Sequence, residues 1–136
     1  PEVNGQTTAG DLGLAGMMSK DKDFVGKVLA RRSALRGEDR QVLIGVKPVD
    51  PSERLTTGSH FVPLDVPARV ENDLGHLTSV AWSPELKHDV GVGFLARGRE
   101  RIGSRVRAID LLRGNDVVCD VVSPIFVDPE GVRTHG

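Results

Sequence analysis

The chain has 136 residues, of which 38% are hydrophobic and 27% charged, with a formal net charge of -1. That size and balance describe one ordinary globular domain, and the near-neutral charge gives no field to draw nucleic acid or an anionic membrane. No apolar run approaches the roughly 20 residues needed to span a bilayer, and the single cysteine, Cys119, excludes an internal disulfide or a multi-cysteine metal site and fits a reducing cytosol.

Pro1 opens the chain and Glu2 to Gly10 reads like the middle of a longer sequence, so the chain is expected to be a piece of a larger polypeptide. Residues 1–19 are Gly/Thr-rich and then apolar, with Leu12, Leu14, Met17 and Met18, which reads as a loop entering a short buried segment. In a piece cut from a packed multidomain unit, the same four residues are expected to leave an uncovered apolar patch that favours a homodimer. Asp21 and Asp23 then suit a helix start. The spacing of Phe24, Val25, Val28, Leu29 and Ala30 predicts a helix over about 24–35 with Lys27, Arg31, Arg32 and Arg36 on its other side and Gly37 as its C-cap.

From Gln41 onward the sequence reads as β-structure. Val42, Ile44 and Val46 alternate with Leu43, Gly45 and Lys47 and stop at Pro48. A Pro/Ser/Thr-rich loop over 48–59 leads to a short strand at His60 to Pro63, and Ala68 to Val70 leads through Glu71-Asn72-Asp73 into the next strand. There Leu77, Ser79 and Ala81 alternate with Thr78, Val80 and Trp82. Ser83-Pro84 then breaks the ladder, because proline donates no backbone hydrogen bond. A charged connector over 85–89 precedes a strand at about Val90–Ala96. Further strands are expected at Arg105–Leu111 and Val117–Val127, joined by the turn residues Arg113-Gly114-Asn115-Asp116. Six or more short strands with Gly/Pro turns point to a small antiparallel barrel or a Greek-key sandwich.

The residues name few candidate sites. His60, His76, His88 and His135 lack metal-site spacing and read as surface or hydrogen-bonded histidines. Cys119 sits in a β-branched run as a buried, inert thiol, and Trp82 reads as core packing rather than a ligand platform. Gly91-Val92-Gly93 lacks a third glycine and marks a bulge or a close backbone approach. Arg97, Arg99, Arg101, Arg105 and Arg107 are a solvated face, an interface or an anionic-ligand patch. With one Trp, four Phe and no Tyr, no aromatic platform for single-stranded nucleic acid is expected, and no carboxylate pair can be nominated for acid/base work.

Several motifs nevertheless occur together and in order. Asp11-Leu12-Gly13-Leu14, Ser19-Lys20, and Asp23-Phe24-Val25-Gly26-Lys27 are similar to the DLGL…SK…DFIGK segment of glycine-cleavage T-protein-like aminomethyltransferases. Val42-Leu43-Ile44-Gly45-Val46 resembles the strand that follows in that family. Gly75-His76-Leu77-Thr78-Ser79 with Ser83-Pro84-Glu85-Leu86 resembles its G-x-V-T-S…S-P-x-L signature. Trp82 before Ser-Pro, the run Arg97-Gly98-Arg99-Glu100-Arg101-Ile102-Gly103, and the ending Val121 to Phe126 with Asp128 to Gly131 are most similar to the sarcosine oxidase α-subunit branch. The signature KGCYxGQE of the iron–sulfur-assembly relatives is missing from the region around Lys20 to Lys27.

The resemblance implies a mainly β fold: a six-stranded Greek-key antiparallel barrel of the aminomethyltransferase C-terminal type from Gln41 to Val127. It implies residues 1–40 as the end of a preceding folate-binding subdomain and residues 41–136 as the C-terminal domain. It also implies a larger cytoplasmic enzyme of one-carbon metabolism, in which an amine is oxidised at a flavin and the one-carbon unit leaves on tetrahydrofolate. Flavin and NAD would be bound elsewhere in the complex. The implied partners are upstream domains of the same polypeptide and a flavin-bearing β subunit, with no catalytic residue in this chain. The folate-proximal positions it marks are Met17, in a segment where relatives usually carry a tryptophan and this chain aligns Gly16, and Arg133 near the C-terminus. A structural barrel without a ligand, and a T-protein aminomethyltransferase domain, remain alternative readings.

Overall fold

The computed structural model describes residues 3–32, 35, 37 and 39–134. Six strands form a closed barrel: β1 (Gln41–Pro48), β2 (His60–Val62), β3 (Gly75–Ser83), β4 (His88–Ala96), β5 (Arg105–Asp110) and β6 (Asn115–Val122). Around the barrel the order is β1-β4-β3-β2-β5-β6, with β6 returning to β1, and every pairing is antiparallel. β2, β3 and β4 follow one another as neighbours, β4 pairs with β1, and the long 49–59 connection carries the chain from β1 past β4 and β3 to β2, the Greek-key arrangement. Closure removes every sheet edge.

The core follows from alternation. Ile44 and Val46 on β1, Val106 and Ala108 on β5, and Val117, Cys119 and Val121 on β6 point inward and pack with Phe61, Leu77 and Leu95. Leu55, from the β1–β2 connection, joins this core from the end of the barrel. Its backbone N–H donates to Asp89 Oδ2 at 3.0 Å, and Arg54 Nε reaches the same oxygen at 3.1 Å. Asp89 is buried at the inward-facing end of β4 and thereby fastens the connection over the barrel mouth.

The alternation in β3 holds only as far as a bulge. Leu77 pairs with Gly93 but Ser79 pairs with Val92, so Thr78 is the extra residue. The shift turns Val80 toward the core and leaves Ala81 exposed. Opposite the bulge, a Cβ on Gly93 would stand 2.9 Å from Phe61 Cε2 and 3.0 Å from Leu77 Cα, so the glycine permits the close approach that the Gly-Val-Gly spacing implied.

β6 ends at Val122, five residues before the expected Val127, because Pro124 cannot continue the ladder. The chain instead crosses the outer face of β1, where Phe126 lies so close to Gly45 that a Cβ there would be 2.9 Å from Phe126 Cζ. The larger correction concerns residues 24–35. Among the described residues this stretch is turns with 3-10 structure at Leu29–Arg31 and again at Leu35, not an α-helix. Gly26 adopts φ 91°, a left-handed conformation that interrupts helical propagation three residues after Asp23. The apolar stripe also finds no surface to cover: Val25 and Val28 are almost wholly exposed. Likewise Leu14 and Met17 are exposed rather than part of a buried segment. Arg36 of the expected helix, and the terminal Pro1 and His135, lie outside the described residues.

Candidate functional site at the junction of leading segment and barrel

The described residues of the leading segment are held to the barrel chiefly around one residue, Asp11. Thr8 donates to Asp11 Oδ2 from its backbone N–H at 2.8 Å and from Oγ1 at 2.9 Å. Arg40, one residue before β1, adds a two-pronged contact, Nε to Oδ1 at 3.0 Å and Nη2 to Oδ2 at 2.5 Å, while Nη2 also donates to the Gln6 carbonyl at 2.7 Å. The Asp11 carbonyl accepts from Leu43 of β1 at 2.7 Å. Burial alone would raise the Asp11 pKa, but the Arg40 and Thr8 hydrogen bonds more than offset it and hold the carboxyl below its ordinary range. The ionised pair is therefore built in.

Clefts flank this pair on both sides. One, of about 330 Å³, is lined by Gly10, Met18, Ala30, Val42, Arg97 and Glu100 beside Asp11 and Arg40. The other, of about 240 Å³, lies against Asn4, Gln6, Gln41, His76 and Phe94. Cations in the first cleft are already engaged: Arg97 pairs with Glu100 at 3.0 Å, and Arg99 donates to the Gly10 carbonyl. The arrangement can seat a polar or anionic group; its one hydroxyl beside a carboxylate, Thr8 Oγ1 on Asp11 Oδ2, faces a base weakened by the Arg40 pairing.

Met17 stands 82% exposed in the 3-10 turn Ala15–Met17, and its neighbour Met18, not Met17 itself, lines the junction cleft. Gly16 is equally open, since a side chain there would meet no atom within 4 Å. Arg133 pairs with Glu85 at 3.1 Å, and its backbone N–H donates to Asp128 Oδ2 at 2.9 Å. Glu85 precedes β4 and Arg97 follows it, so Arg133 and the Met17 segment are attached near opposite ends of a nine-residue strand, roughly 26 Å at the usual strand rise. The two do not share a site within this chain.

The remaining candidates sort by environment. Cys119 is fully buried, its thiol pushed up to about 12 by burial, and it is no nucleophile at neutral pH. Arg105 and Arg107 reach Asp120 at 3.0 Å and Asp116 at 2.5 Å, while Arg101 donates to the Ala96 carbonyl at 3.1 Å. The arginine series thus spends donors on the chain's own carboxylates and carbonyls, those of the barrel and, through Arg99, of Gly10 in the leading segment. Trp82 is not core: it is 47% exposed, with the Arg54 guanidinium 5.2 Å from its ring centroid. Trp82 lies on the same side of β3 as the core-packed Val80, but one residue before the strand ends at Ser83, where the barrel no longer covers the ring. His60 and His76, far apart in sequence, are opposite each other in the β2–β3 register, and His60 Nδ1 bonds Asp73 Oδ2 at 2.9 Å. Among the described residues, no group of three or more His, Cys, Asp or Glu could hold a metal ion, and no helix is long and apolar enough to cross a membrane.

Sequence reasoning missed Asp11–Arg40 as a functional tie. The spacing Thr8-x-x-Asp11 is a readable local signal for a side-chain-to-backbone turn. Nothing at Arg40 announces its partner 29 positions away.

Comparison with known proteins agrees with this geometry. Residues 41–128 match the family model of the glycine cleavage T-protein C-terminal barrel domain. The sarcosine oxidase subunit alpha of Rhizobium meliloti (strain 1021) is 37% identical across 98% of this chain, and that of Corynebacterium sp. (strain U-96) is 36% identical across 99%. The chain spans only 14% of the length of either relative. The crystal structure of the glycine cleavage system aminomethyltransferase T from Bartonella henselae superposes with a TM-score of 0.70 over 93% of this chain and 34% of that one, at 22% identity, a likeness of fold. With its six-stranded closed barrel and a family match over 41–128, the chain belongs to the glycine cleavage T-protein C-terminal barrel domain family, and it is similar over nearly its whole length to sarcosine oxidase α subunits.

Proposed function

We propose that this chain is the folate-handling barrel part of a polypeptide like the sarcosine oxidase α subunit, helping a larger enzyme pass the one-carbon unit of oxidised sarcosine to tetrahydrofolate. The observation that carries this reading is 37% identity over 98% of the chain to a sarcosine oxidase α subunit. The chain's own chemistry supports an assisting role: its buried thiol is inert, and the Asp11 and Asp110 carboxylates are tied to arginines. Tetrahydrofolate, when bound, supplies the nitrogen nucleophiles that capture the one-carbon unit. In this reading residues 1–40 end a preceding subdomain, which supplies most of the folate contacts, and the exposed Leu14, Met17 and Val25 face it. Flavin and NAD belong to other parts of a cytoplasmic complex that includes a flavin-bearing β subunit, and the chain alone is inactive.

The test assays the parent polypeptide in its complex with sarcosine, with and without tetrahydrofolate. The expected result is 5,10-methylenetetrahydrofolate formed at the expense of free aldehyde, with no product from the barrel chain alone. Equal aldehyde release in both conditions overturns the folate role and leaves a structural barrel. Activity with the aminomethyl carrier of glycine cleavage, but not sarcosine, moves the chain to the T-protein branch.

A further inference from the structure

Across the barrel from the junction, the outer face of β2 and β5 carries a cavity of about 420 Å³, larger than either junction cleft. Its floor is Val62 and Ile109. They alternate with the inward-facing Phe61 and Ala108 and so point away from the core, yet they are only 3% and 5% exposed. They are covered because the connection between β2 and β3 arches over them. That arch is pinned by Arg107 Nη1 to the Val66 carbonyl at 3.0 Å, Asn72 Nδ2 to the Pro67 carbonyl at 2.9 Å, and the Leu74 N–H to the Phe61 carbonyl at 2.8 Å. The rim, by contrast, is bare: Val70 on the arch and Leu112 in the β5–β6 turn are 90% and 97% exposed.

The polar groups at this cavity have unequal spare capacity. Asp73 accepts from the Gly75 N–H at Oδ1, 3.0 Å, and bonds His60 Nδ1 through Oδ2. The carboxylate thereby fixes the proton on Nδ1 and leaves Nε2 without a partner among the described residues. The Asp110 carboxylate is taken by the Arg113 side chain at 2.6 Å and by the backbone N–H groups of Leu112 and Arg113. Arg69 lines the cavity; its carbonyl accepts from the Asn72 N–H at 2.9 Å, but its guanidinium has no hydrogen-bond or ion-pair partner among the described residues. What is left uncommitted is one guanidinium and one imidazole nitrogen above an apolar floor. A recessed apolar surface with a few convergent polar groups is the usual make-up of a small-molecule site.

We propose that this cavity binds a small amphipathic carboxylate. The apolar body lies on Val62, Ile109 and Val70, and Arg69 takes the carboxylate through its forked donors, with His60 beside it. The site is separate from the junction clefts and does not rest on the folate reading.

The closed barrel with its own core allows the chain to be titrated as it stands, followed by amide NMR shifts, using 3-phenylpropionate and its neutral alcohol counterpart as probes. The expected result is saturable shifts confined to residues 58–62, 69–73 and 109–112. Arg69→Gln should weaken phenylpropionate about tenfold while leaving the alcohol unchanged, as loss of a charge-assisted hydrogen bond implies. Val70→Asp should abolish both. The proposal is overturned by an absence of saturable shifts at probe concentrations of about 10 mM, where weak small-ligand binding is still visible. It is equally overturned if acid and alcohol bind alike and Arg69→Gln changes neither, which would make the face a purely apolar one suited to docking a protein.

Discussion

Ile44, Phe61, Leu77 and Leu95 of the barrel are sealed from solvent, whereas Met17, Val25 and Val28 of the leading segment stand nearly bare. Both regions carry apolar residues at regular spacing, yet only one converts spacing into structure. In the barrel, each inward side chain has a cross-strand neighbour and the closed ring supplies an opposite wall. Among the described residues of the leading segment the one that is buried is a carboxylate, Asp11, and its charge is tolerated there because it is paired with Arg40. Periodicity yields an element only where another surface completes it.

This contrast can be broken or sharpened experimentally. The largest effect should come from Phe61→Ala, which empties the barrel centre and is expected to cost about 3–5 kcal/mol in urea or guanidinium unfolding. A much smaller loss would mean that the barrel collapses around the gap. Asp11→Asn should act more locally. It weakens the Arg40 fork and costs about 1–3 kcal/mol of attachment, read as faster proteolysis within residues 3–40 while the barrel melts nearly as before. The same tie predicts a pH dependence. Because the folded-state pKa of Asp11 lies below the ordinary 3.8, its contribution is fully present above that value and disappears as pH falls through the lowered one. Attachment that loosened near neutral pH would contradict the pairing. The smallest effect is expected for Val28→Ser, within about 0.5 kcal/mol for an exposed side chain. A large loss there would mean that the residue is covered in solution.

The barrel was legible because its strands announce themselves by period 2 and its breaks by proline and glycine. Pro48, Pro84 and Pro124 all fall at or just beyond strand ends. The bulge at Thr78 was not legible, since nothing in Leu77-Thr78-Ser79 distinguishes a shifted register from a regular one. The buried reading of Trp82 fails separately, because the residue sits beside the end of β3, where its ring is 47% exposed. The expected helix failed for a different reason: Gly26 has a left-handed φ within it, and its apolar face has no described surface to lean on. For the candidate sites, Asp11–Arg40 and His60–Asp73 depend on contacts between separate elements, which chain order does not encode. Cys119 was readable as inert because its β-branched neighbours already placed it on an inward strand position.

The pairing that closes the barrel joins its first and last strands, with Val46 opposite Val121. As the chain is synthesised, β1 must wait for nearly the whole domain before its second neighbour exists. Closure is therefore a late event of high contact order, expected on the millisecond-to-second scale typical of such β topologies. Until then β1 and β6 present open edges, which makes a barrel stalled short of Val122 the species most prone to aggregate.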